Sequence, residues 1–154
     1  MDAAAIASRL LYAAAWCVGR LPLALQQRLG DVAGAAMRVA NGREARVARR
    51  NIALVAPELA PEAAAALLRA VLRQTGRLGF ETLRIWTRPR ADNLALVVSV
   101  HGEAALRQAL SAGRGVIVAA PHYGNIEMVV EFMAGRGPFS LVYKLPVAGY
   151  NAGP

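Results

Sequence analysis

From residue 3 to about residue 90 apolar side chains return every three or four positions, and from about residue 94 they gather instead into short unbroken runs. The first rhythm is that of amphipathic helices and the second that of buried strands. "LLYAAAWCV" at 10–18 predicts a helix over Ala3 to Val18, interrupted by Arg20 and Pro22. A free-standing membrane span needs about 20 apolar residues. The stretch therefore reads as a tilted or shallow membrane-associated helix, with a core helix of a soluble protein as the alternative. Leu21, Leu25, Leu29, Val32 and Ala36 trace one face of a second helix that "NG" at 41–42 stops. A third begins at Arg43 and carries Arg43, Arg46 and Arg50 on one stripe, with Arg49 beside it and Val47 and Leu54 turned elsewhere. Pro61 suits the first position of a fourth helix and Glu62 its positive dipole end. Leu68, Val71, Leu72, Thr75, Gly79, Thr82, Leu83 and Trp86 form its apolar seam, and Pro89 closes it. Arg69, Arg73, Arg77, Arg84 and Arg88 make another stripe, with Glu81 placed to pair with Arg77 or Arg84.

The change at about residue 94 divides the chain into a helical, basic, membrane-associated region, 1–92, and a second region, 93–154. "LALVVSV", "GVIVAA" and "FSLVYK" suit buried strands, and "GEAALRQALSAG" and "NIEMVVEFMAG" the helices between them. Strand, helix, strand, helix, strand with short crossovers predicts a parallel α/β arrangement. Reacting groups in such sheets gather at the carboxyl ends of strands, and His122 lies just past the second.

At 154 residues the chain suits one core with an appendage. Hydrophobic residues make up 56% and charged residues 18%, so some apolar surface is expected to meet lipid or a partner. The net charge is +8, carried by 17 arginines and the single lysine, Lys144. Such a surface seeks polyanions: nucleic acid, acidic headgroups, phosphorylated substrates or acidic carrier proteins. The basic helices lack interleaved aromatics and any reading motif, which argues against nucleic acid. Their bland reading is a solvated face; the alternative is contact with anionic lipid or an acidic protein. Cys17 is alone, so no internal disulfide or cysteine metal cluster forms. Asp2 and a single arginine ahead of the apolar core, with no small-x-small site after it, argue against a cleaved signal peptide.

The remaining chemistry lies in "APHYGNIEM", 119–127. Pro121 ends the second expected strand, "HYGN" forms a turn, and Asn125 suits the N-cap of the next helix. His122 then stands at the helix entrance and Glu127 in its first turn. A carboxylate that holds one imidazole nitrogen leaves the other free as a base, and the helix amino terminus favours neutral His122 and ionised Glu127. The spacing by itself also fits two structural residues. Gly124 allows a substrate to approach closely. No third ligand makes a zinc site with the two histidines, so no metal is expected. There is no G-x-S-x-G elbow and no phosphate-cradling P-loop. His101, at the end of the first expected strand, is given a structural role.

"REARVARRNIALVAPEL", "GRLGFETLRIW" and "VHGEAALRQALSAGRGVIVAAPHYGNIEM" together resemble the bacterial lipid A biosynthesis acyltransferases, over about residues 10–144. The H-x4-[DE] box after "GRGVIV" is shared with the wider glycerolipid acyltransferase superfamily. The resemblance implies an α/β fold of amino-terminal amphipathic helices followed by the first half of a parallel-strand αβα acyltransferase domain. It implies an enzyme on the cytoplasmic face of the cell inner membrane that moves a fatty acyl group from acyl carrier protein to a hydroxyl of a lipid A precursor or related glycolipid. His122 becomes the general base and Glu127 its orienting acid. Tyr123, Gly124, Asn125 and Lys144 become substrate contacts, and no cofactor is implied. Anionic inner-membrane lipids and the acidic carrier protein give the arginine stripes partners; nucleic acid does not. The family's later motifs find no counterpart after "VYKLP", so a fragment or truncated product is expected. The alternative function is a basic membrane-binding fragment or pseudoenzyme that keeps the fold without the chemistry, or an acyltransferase acting on a related glycolipid or lysophospholipid.

Overall fold

The computed structural model describes residues 3–142, and Lys144 lies outside them. Seven helices occur among these residues: α1 (Ala3–Gly19), α2 (Leu23–Ala40), α3 (Arg43–Val55), α4 (Pro61–Thr87), α5 (Arg90–Leu94), α6 (Glu103–Ser111) and α7 (Ile126–Ala134). The first four begin and end close to where the sequence predicts. Pro61 opens α4, and Asn41 ends α2 in the left-handed conformation with φ 48°, which asparagine tolerates better than most residues. α5 is a short turn of helix that the apolar pattern does not predict.

α4 is the spine. Its 27 residues extend about 40 Å at the helical rise, and α1, α2 and α3 all pack along it. The α2–α4 contact is backbone against backbone. A Cβ added to Gly30 or Gly34 meets Arg77 Cα or the Leu72 carbonyl at 2.5 Å, and one added to Gly76 collides with the Gly30 carbonyl oxygen. Near the other end of α2, Ala45, Ile52, Leu68 and Leu72 form the apolar core, flanked by Met37, Ala48, Leu59 and Ala64.

This packing corrects two faces read from periodicity. On α2 the buried residues are Gln26, Gly30 and Gly34, so the stripe through Leu25 and Val32 points outward. On α4 the seam runs through Leu68, Leu72, Gly76 and Ile85, while Trp86 is exposed. Glu81 pairs with neither arginine and accepts a hydrogen bond from Gln27 at 3.3 Å. The corner between α1 and α2 is held from both sides. The buried Gln26 amide nitrogen lies 3.0–3.1 Å from the carbonyls of Val18, Gly19 and Leu21. Arg88 donates to the carbonyls of Gly19 and Arg20, and Arg20 returns a bond to the Thr87 carbonyl.

The α/β expectation fails. The described residues are 70% helical and contain no strand. The three expected strands have strand composition without strand pairing. Residues 98–101, 116–120 and 139–142 make no backbone-to-backbone hydrogen bond among the described residues, and Val98, Ile117 and Val142 are 99%, 99% and 97% exposed. A strand preference is a preference for packing on neighbours, and parallel strands need cover on both faces. Here the runs find no strand partner, and Val98, Ile117 and Val142 are left open to solvent.

Candidate functional site

The segment that carries the H-x4-E pattern turns sharply before it becomes helical. Tyr123 N–H donates to the Pro121 carbonyl at 2.8 Å, which closes a three-residue turn centred on His122. Gly124 follows at φ 67° with no atom within 4 Å of where a Cβ would stand. A side chain at that φ is disfavoured, so glycine fits the turn and leaves the space beside it open. Asn125 then caps α7, its Oδ1 accepting from Glu127 N–H at 3.2 Å. The expected cap is thus present, and Glu127 sits in the first turn of α7, where the helix dipole favours its negative charge.

His122, Tyr123 and Gly124 are exposed, while Asn125 and Glu127 are half-buried. The turn brings these five residues to one end of α7. It does not join His122 to Glu127, for no hydrogen bond or ion pair links the two side chains among the described residues. The exposed imidazole and the half-buried carboxylate stand at the same end of α7 without being bonded to each other. Lys144 cannot be compared, since it lies outside the described residues.

Residues that the sequence reading did not single out hold α7 in place. Arg90 donates to Glu131 Oε2 at 3.2 Å and to the Ala134 carbonyl at 3.4 Å. Arg136 stacks its guanidinium over the Phe132 ring and donates to Glu103 Oε1 at 2.7 Å. That bond, the largest influence on it, holds the Glu103 carboxyl below the usual carboxylate range, against a smaller opposing effect of burial. Glu131 one turn beyond Glu127 was the available signal, but its partner Arg90 is 41 residues away. His101 is exposed, and its only side-chain partner among the described residues is Ser99 Oγ at 3.5 Å. Among the described residues no three His, Cys, Asp or Glu side chains gather to hold a metal ion.

Residues 3–146 match the family described as bacterial lipid A biosynthesis acyltransferase. A curated relative, the phosphatidylinositol mannoside acyltransferase of Mycolicibacterium smegmatis (strain ATCC 700084 / mc(2)155), is 35% identical over 135 residues, which cover 85% of this chain and 43% of that protein. The chain thus spans less than half the length of this relative. No solved structure matches.

Proposed function

The chain belongs to the bacterial lipid A biosynthesis acyltransferase family, and from that membership we propose that it acts in the transfer of a fatty acyl group from acyl carrier protein to a glycolipid hydroxyl, in the first reading that of a lipid A precursor. The observation that carries this is the capped turn: an exposed histidine beside an open glycine, with a carboxylate in the first turn of the helix that follows. Neutral His122 takes the proton of the acceptor hydroxyl as its oxygen attacks the thioester carbonyl. The new C–O bond forms, the C–S bond breaks as the tetrahedral intermediate collapses, and the proton passes to the departing thiolate. Glu127 orients the imidazole and stabilises its charged form. Tyr123, Gly124, Asn125 and Lys144 contact the substrates.

The reaction takes place at the cytoplasmic face of the inner membrane. Among the described residues no helix is long and apolar enough to cross a membrane. α1, however, exposes Leu10, Leu11, Tyr12 and Trp16, a surface suited to shallow insertion among lipids. A second reading of the acceptor, a mannosylated phosphatidylinositol, is favoured by the name of the curated relative.

The test uses the complete reading frame that contains this chain, expressed in membranes with acyl-loaded carrier protein and either acceptor. His122→Ala is expected to lower turnover by about 10²- to 10⁴-fold, the usual contribution of a general base, and Glu127→Gln by less. Wild-type turnover in His122→Ala means that His122 is not the base. Transfer to the mannoside alone replaces the first acceptor with the second.

A further inference from the structure

A second site lies away from His122, in the groove between α2 and α4. It is a half-open groove of about 430 Å³, lined by Asp31, Gly34, Ala35 and Arg38 of α2 and by Ala66, Arg69, Ala70 and Arg73 of α4. Its floor is alanine and glycine, so no side chain fills it, and the size is that of a small-molecule cleft. Three of the lining residues are arginines. Arg38 and Arg69 make no ion pair or side-chain hydrogen bond among the described residues, and Arg73 reaches Asp31 only at 3.7 Å. Asp31 does not cancel them, because its carboxylate is engaged by both Nε and Nη2 of Arg77, which is not part of the lining. The groove thus carries three arginines against one aspartate that is already bonded to Arg77, an excess of positive charge suited to the oxygens of a phosphate group.

The surroundings identify the source of that phosphate. Val32 and Val39 follow Asp31 and Arg38 in sequence, so each lies about 100° round α2 from the groove wall, and they are 67% and 75% exposed. With Leu25 they make an outward apolar stripe alongside the charged groove. A soluble phosphate requires no such neighbour; a headgroup at the edge of a lipid surface does. We propose that Arg38, Arg69 and Arg73 form a binding site for the phosphate of an anionic phospholipid headgroup. The site is separate from the acyl-transfer residues and rests only on the part of the functional reading that seats the molecule on a membrane.

Flotation of the full chain with phosphatidylcholine vesicles, with and without phosphatidylglycerol, tests it. Wild type is expected to bind both and to gain at least about tenfold with phosphatidylglycerol, since each surface cation contributes on the order of 1 kcal/mol. The triple variant Arg38→Gln, Arg69→Gln, Arg73→Gln should lose that gain and keep its binding to phosphatidylcholine. Arg43→Gln, Arg46→Gln, Arg50→Gln removes the same charge from α3 and should keep most of the gain. The single variant Arg69→Gln, which breaks no hydrogen bond or ion pair among the described residues, should show a partial loss; circular dichroism checks that each variant is folded. Equal losses from the two triple variants, or none from the groove variant, overturn the proposal. So does binding of free glycerol phosphate without any phosphatidylglycerol dependence, or a groove variant that loses only acyl carrier protein. If wild type ignores vesicles of both kinds, the membrane seat itself is wrong. If it binds phosphatidylcholine but gains nothing from phosphatidylglycerol, only the groove is wrong.

Discussion

Asp31 shows how one side chain serves two purposes. Hydrogen bonding from Arg77 holds its carboxyl below the usual aspartate range, partly opposed by desolvation, with charge attraction to Arg77 and Arg73 adding to the lowering. A group whose folded pKa is depressed stabilises the fold above its unfolded value and loses that contribution as pH falls through the folded one. The stability difference between wild type and Arg77→Gln should therefore be largest near neutral pH and should shrink below about pH 4, measured by urea unfolding at a series of pH values. A difference independent of pH means that Arg77 acts through packing alone. The sequence pairs Arg77 with nearby Glu81 rather than with Asp31, since 46 residues separate Asp31 from Arg77. The local chemistry was far more legible. Asn125 as a cap and Glu127 in the first turn follow from neighbouring residues alone, whereas the Arg90–Glu131 bond that steadies the same helix depends on a fold the sequence had to be given first.

Helix boundaries were legible because Pro61, Asn41 and Pro89 are local stop and start signals, but helix faces only in part: Leu68 and Leu72 of the expected α4 seam are buried, and Trp86 is exposed. Counting only large apolar residues selected Leu25 and Val32 on α2, while the buried positions are Gln26, Gly30 and Gly34. Glycine carries no hydrophobic weight, and its value here is the close approach it permits. Two substitutions on α4, which packs against these glycines, separate these roles. Gly76→Ala drives a methyl into the α2 backbone and should cost roughly 1–3 kcal/mol or more. Gly79→Ala meets no atom within 4 Å and should stabilise α4 by about 0.5–1 kcal/mol. Thermal and urea unfolding measure both; similar effects at the two positions mean that the close contact is absent in solution. The strands failed for the converse reason. Valine and isoleucine in a run record a preference for cover, and the cover is a property of elements elsewhere.

In the molecule as a whole, a packed helical body contrasts with the extended segments around α6 and α7. Leu72 is almost fully enclosed on α4, while Ile117, five residues before His122, is open to solvent. The bare amides of 116–120 have a consequence that an isotope clock can read. With no carbonyl to hold them, they should exchange with deuterated water at nearly the free-chain rate, while those in the middle of α4 exchange only through larger openings. Slow exchange at 116–120 in the isolated chain contradicts the unpaired segment. A protein or lipid that slows exchange there has given the approach to His122 the backbone partners it lacks, and mass spectrometry would register the event without any turnover of substrate.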